Sequence, residues 1–127
     1  MFHILTMARA LSDDNRARIV MALRLRPLCA CEITALLGLA PSTTSKHLFL
    51  LKQAKLIDSR KKGKWIYYSL PQKPEASVAR TLDWIINELA ATPQIEQDAA
   101  RIPEIIHGER GAHFHDQDIH ELCGDAS

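Results

Sequence analysis

Apolar residues recur at helical spacing along most of this chain, and the period changes once. Phe2, Leu5, Met7, Ala8 and Leu11 share one helical face, and Ser12-Asp13-Asp14 then stops that run and supplies a fresh N-cap. From Asp13 to about Arg26, Ala17, Ile19, Val20, Leu23 and Leu25 alternate with arginines as a second amphipathic helix, closed by Pro27. A third, short helix from Ala30 to Leu37 turns Ile33, Leu36 and Leu37 to one side and is stopped by Gly38. The next helix, roughly Ser42 to Ala54, directs Leu48, Leu51 and Ala54 inward and leaves Thr43, Thr44, Lys46, His47 and Lys52 outside. Two short helices joined by a tight Gly-containing turn predict a helix-turn-helix.

After Leu56 the period falls to two. Ile57 to Arg60 and Trp65 to Leu70 read as strands, and Lys61-Lys62-Gly63-Lys64 between them reads as the basic tip of a β-hairpin. Val78, Leu82, Ile85 and Leu89 then form a helical seam suited to another helix, which suggests dimerisation. Thr92-Pro93 breaks that helix, Gln94 to about His107 forms one more despite Pro103, and Glu109 to Ser127 reads as a mobile tail. The expected architecture is mainly α with one small β-hairpin. Residues 1–91 would form the DNA-binding and dimerisation unit, and 92–127 a last helix and an acidic, His-containing tail.

Composition adds what the pattern leaves open. At 127 residues, 46% hydrophobic and 24% charged, the chain holds one globular core. Its longest apolar run, Ile19 to Leu23, is far below the ~18 residues of a membrane span. The N-terminus lacks the features of a signal peptide, so a cytoplasmic location is expected. The net charge of +1 conceals +6 over residues 41–64 and −8 over residues 75–127. A basic cluster on a helix-turn-helix and hairpin is the footprint of phosphate binding, although a solvated lysine-rich face carries the same charge. Ser42, Thr43, Thr44, Ser45, Lys46 and His47 form the expected groove-facing set, with Lys52 on the same outer surface. Arg60, Lys61, Lys62 and Lys64 form the phosphate-facing set.

Three cysteines, Cys29, Cys31 and Cys123, argue for thiolate or metal chemistry over a disulfide framework in a reducing compartment. A helix N-terminus favours the thiolates of Cys29 and Cys31. Residues two apart on a helix diverge by about 200°, so joint coordination predicts distortion at the start of the third helix. The plainer reading is two small buried apolar residues. An enzyme is not expected, because no Cys-x-x-Cys near a βαβ pattern, Gly-rich phosphate loop or supported Ser/His/Asp set is present; a small thiol enzyme is a remote alternative.

Three stretches carry a family resemblance: Leu28-Cys29-Ala30-Cys31-Glu32-Ile33, Ser42-Thr43-Thr44-Ser45-Lys46-His47-Leu48, and Arg60 through Leu70. Over roughly residues 2–90 the chain resembles the ArsR/SmtB family of metal-responsive winged-helix repressors. The resemblance implies a winged helix-turn-helix and a homodimer built on the first and fifth helices. It also implies binding to double-stranded operator DNA with dyad symmetry, and release by an inducer. Cys29 and Cys31 resemble the thiolate pair of the arsenic and cadmium/lead branches. As(III) or Sb(III) is therefore the expected inducer, with Cd(II), Pb(II) or thiol oxidation as alternatives.

Several positions depart from the family pattern. Thr34 stands where some arsenic sensors have a third cysteine, and Cys123, beside His120 and Glu121, is a candidate third sulfur from its own or the partner subunit. The N-terminus lacks the cysteines of the cadmium/lead branch, which favours arsenic or antimony. A second family site is missing its histidine at Asp83-Trp84-Ile85. His107, His113, His115 and His120 with Asp116, Asp118 and Glu121 form a loose set suited to zinc or nickel, or simply a solvated tail. Ala40-Pro41 replaces the usual Ser-Gln start of the groove helix.

Overall fold

Cap chemistry marks where α2 and α3 begin. The computed structural model describes residues 2–113 and the side chains of residues 3–108. The elements run α1 (Phe2–Leu11), α2 (Asp14–Leu23), β1 (Leu28–Cys29), α3 (Ala30–Leu37), α4 (Pro41–Gln53), β2 (Asp58–Lys62), β3 (Trp65–Ser69), α5 (Ala76–Leu89) and α6 (Pro93–His113). Asp13 caps α2, accepting the N–H groups of Asn15 at 2.8 Å and Arg16 at 3.2 Å. Burial pushes its carboxyl pKa up, but those two N–H groups and the charges of Arg16 and His47 outweigh it and hold the carboxyl below its ordinary value. Gly38 ends α3 at φ 69, donating its N–H to the Thr34 carbonyl at 2.9 Å. The expected start of α4 at Ser42 moves to Pro41, whose fixed φ suits a first helical position, with Ala40 as an N-cap that makes no side-chain bond. Lys55, at φ 63, takes the left-handed position that ends α4. The Leu56 N–H then reaches back to the Leu51 carbonyl at 3.1 Å.

The sheet is antiparallel in the order β1-β3-β2, so the expected hairpin acquires a third strand. β1 has only two residues, too few to show a period of two. Leu28 pairs with Tyr68 and Cys29 with Tyr67, while Arg60 pairs with Tyr67 from the other side and Lys62 with Trp65. Lys61 and Lys62 therefore lie in β2, and the turn shrinks to Gly63-Lys64. Gly63 at φ 61 supplies the positive φ that a two-residue hairpin loop needs.

Met7, Ile19, Val20, Ile33, Leu36, Leu48, Leu51, Leu56, Ile57 and Ile102 share one core. Val78, Leu82 and Ile85 also point into it, so the seam expected to face a partner is largely buried within this chain. The apolar side chains left outside on α1 and α5 are Ile4, Leu5 and Trp84, the last 59% exposed. α6 packs on α2 and α3 and continues through Pro103 and Gly108 to His113, past the expected end at His107. Ile95 and Ile102 are buried there, and Ile105 and Ile106 pack against the core. Among the described residues no helix is long and apolar enough to cross a membrane.

Candidate DNA interface and thiol pair

Leu48 and Leu51 anchor α4 to the core and so fix which side faces out. Ser42, Thr43, Ser45, Lys46 and Lys52 are exposed as expected. Thr44 is not: it is 1% exposed, and its hydroxyl donates to the Ala40 carbonyl at 3.4 Å. About 200° separates Thr44 from Ser42 and only about 40° from Leu48, which puts Thr44 on the core side. His47 is half-buried, its Nδ1 3.2 Å from an Arg16 guanidinium nitrogen. A guanidinium only donates, so Nδ1 accepts and the ring turns toward α2 rather than outward. Phe49 and Gln53, which the sequence reading passed over, lie on the exposed face. They continue the Ser42, Ser45 and Lys46 stripe at steps of three and four, and that spacing was the available signal.

Arg60, Lys61 and Lys64 are exposed on the hairpin and Lys62 is half-buried. Lys52 Nζ donates to Ser59 Oγ at 2.5 Å, tying α4 to β2 so that helix and hairpin present one basic surface.

Cys29 lies ahead of α3, in β1, at φ −83 and ψ 164. This corrects the expected geometry. Because Cys29 is extended rather than helical, the 200° divergence does not apply, and its thiol shares a hydrogen bond with that of Cys31. Glu32 completes a capping box, its carboxylate accepting the Cys29 N–H at 2.8 Å while its own N–H donates to the Cys29 sulfur. The expected thiolate character is also corrected. Cys29 is 1% exposed, and burial, the Cys31 hydrogen bond and the Glu32 charge push its pKa far up, with only the Glu32 N–H opposing. Cys29 and Tyr67 pack together, with Cys31 and Trp65 against them. Two soft donors on one side of the chain fit a thiophilic ion. Among the described residues no three His, Cys, Asp or Glu side chains form a metal-sized group. Cys123, His115, Asp116, Asp118, His120 and Glu121 lie outside the described residues, as does the His113 side chain; His107 is exposed on α6.

The sequence reading gave no role to a polar cluster behind α3. Arg18 meets the buried Asp98 through two nitrogens at 2.8 and 2.9 Å, and Gln94 donates to the same carboxylate at 3.0 Å. Arg18 and Arg101 both donate to the Leu36 carbonyl, at 3.4 and 3.1 Å. Asp98 falls between Ile95 and Ile102 on the buried stripe of α6, and an acid on an apolar stripe was the signal for it.

A short helix pair with an outward second helix, flanked by a basic β-hairpin, defines a winged helix-turn-helix DNA-binding regulator. Residues 13–59 match the family described as bacterial regulatory protein, arsR family. The arsenic resistance transcriptional regulator ArsR1 of Pseudomonas putida is 35% identical over 80% of this chain and 77% of its own length. The arsenical resistance operon repressor of Escherichia coli is 36% identical over 59% of this chain and 65% of its length. A cadmium resistance regulatory protein CadC homolog of Staphylococcus aureus is 43% identical over 49% and 52%. The solved structure of HlyU from Vibrio cholerae superimposes with TM-score 0.60 at 22% identity, covering 69% of this chain and 92% of that one. The transcriptional repressor BigR from Xylella fastidiosa gives TM-score 0.59 at 22% identity, covering 71% and 86%. The chain belongs to the ArsR family, and its relatives named here are transcriptional regulators rather than enzymes.

Proposed function

We propose that the chain is a homodimeric repressor that grips operator DNA with α4 and the β2–β3 hairpin and releases it when As(III) or Sb(III) engages Cys29 and Cys31. The observation that carries this reading is the hydrogen-bonded thiol pair at the junction of β1 and α3. Cys29 is paired with Tyr67, and Tyr67 with Arg60 of the hairpin. A pull on the Cys29 backbone passes through that ladder to a phosphate-facing residue. A second route runs through α3 and the Gly38-Leu39-Ala40 turn into α4. A ligand that favours one arrangement of this junction shifts the grip on DNA by its differential affinity.

The protonated state of Cys29 favours arsenite over cadmium or lead. When arsenous acid exchanges two hydroxides for two thiols, the thiol protons leave in two waters and nothing is left to neutralise. A divalent cation must instead expel each thiol proton into solution, which the raised pKa penalises. Cys123 is proposed as a third sulfur, and the exposed apolar face of Ile4, Leu5 and Trp84 as the dimer contact. The named arsenic regulators from P. putida and E. coli support the same inducer.

The test is release of a labelled operator duplex by arsenite. The wild type is expected to release it, and Cys29→Ser with Cys31→Ser to hold it at the same arsenite concentration. Release by the double variant would disprove the sensor assignment. Release by cadmium but not arsenite under strict reduction would transfer the role to divalent soft ions, and release by peroxide alone would transfer it to oxidation.

A further inference from the structure

We infer that Phe49 is a specificity-determining residue that reads a thymine by packing on its C5-methyl group in the major groove. The inference rests on the DNA-binding reading of α4 and deepens it. Phe49 is 64% exposed in the middle of a helix whose opposite face is anchored by Leu48 and Leu51. Scattered exposed apolar side chains are ordinary; what distinguishes this one is its company. It follows Ser45 by four residues and Lys46 by three, and precedes Gln53 by four, so it lies on one outward stripe with three hydrogen-bonding side chains. Ser45, Lys46, Phe49 and Leu50 line a shallow open hollow on that face.

Lys46 and Lys52 on the helix, and Arg60, Lys61 and Lys64 on the adjacent hairpin, give the surface around Phe49 the sign that attracts a polyanion and repels a basic partner. An aromatic ring set among such groups meets, in the major groove, one apolar feature of the base edges, the thymine methyl. Serine, lysine and glutamine beside it can hydrogen-bond to neighbouring base edges or phosphates, whereas Phe49 contributes shape and apolar area alone. Its contribution is therefore selectivity for A·T over G·C at one position of each half-site.

The experiment selects duplexes from a random-sequence pool with the full-length wild type and with Phe49→Ala at low salt. The enriched wild-type duplex is then remade with deoxyuridine in place of each thymidine in turn, which removes only the methyl. The expected result is one thymine per half-site whose demethylation weakens wild-type binding about fivefold, while Phe49→Ala binds both duplexes equally and enriches sites degenerate at that position. Phe49→Leu should retain part of the discrimination. The deoxyuridine arm uses the wild-type protein alone, so it stands whatever the variants do. Enrichment by the wild type with no uracil-sensitive position, or the same uracil penalty in Phe49→Ala, overturns this inference and leaves DNA binding intact. A Phe49→Ala protein that selects identical sites but changes its sedimentation as free protein makes Phe49 a self-association contact instead, which also overturns it. No enrichment of any sequence by the wild type overturns the DNA reading itself.

Discussion

Cys29 is at once a strand residue, a helix cap and a buried thiol, and the combination sets its chemistry. Its sulfur accepts the Glu32 N–H, which alone would favour a thiolate, but burial and the nearby Cys31 and Glu32 outweigh that donor. The folded pKa lies above the ordinary thiol value of 9.0, so this thiol keeps its proton throughout the neutral range. The sign for ligand binding follows. Arsenite affinity should stay nearly flat between pH 6 and 8, because thiol protons leave as water. Cadmium affinity should rise with pH, by up to about tenfold per unit for each proton expelled. Isothermal titration in buffers of different ionisation enthalpy checks this directly, since cadmium binding should release protons and arsenite binding should not.

Elements are held in place here by a few polar contacts that the apolar pattern does not encode. Asp98 is 1% exposed and serves Arg18 and Gln94, while Arg18 and Arg101 close the C-terminal end of α3 through the Leu36 carbonyl. Asp98→Ala leaves the Arg18 guanidinium without its carboxylate in a largely buried site, so it should cost about 3 kcal/mol by chemical denaturation. It should also loosen α6 first, seen as faster hydrogen exchange there. At the same C-terminal end of α3, Gly38 stands at φ 69, and nothing lies within 4 Å of where a Cβ would stand. Gly38→Ala should therefore cost only the left-handed penalty, about 1–2 kcal/mol. A greater loss would mean that the α3–α4 turn tolerates less than its open surroundings indicate.

At the scale of the whole molecule, the basic surface and the apolar α1–α5 face each make a prediction. If Arg60, Lys61, Lys62 and Lys64 meet phosphates, operator affinity should fall steeply with salt, and Lys61→Ala with Lys64→Ala should reduce the log–log slope of the proposed dimer by about 3.6. An unchanged slope would remove the hairpin from the interface. Ile4, Leu5 and Trp84 leave a large apolar area in water on one side of the molecule. Trp84→Glu should yield a folded monomer by sedimentation, with operator affinity lowered by at least about a hundredfold, since half of the phosphate and base contacts are then lost from each binding event.

Much of this was written along the chain. Helical spacing and cap residues located α1 to α5 to within a few residues, because burial of one face needs apolar side chains every three or four positions. The switch to a period of two marked the hairpin, and the lysine run marked its charge. The tertiary structure decided what depends on neighbours distant in sequence. It paired β1 with β3, which holds Cys29 extended ahead of α3 and brings its thiol to Cys31. It turned His47 toward Arg16 of α2, because which element flanks that side of α4 is set by the packing and not by the spacing along the helix. It also buried Asp98 against an arginine 80 residues earlier, a contact local periodicity does not specify. Spacing along a chain fixes which side chains share a face; only the packed fold fixes what that face meets.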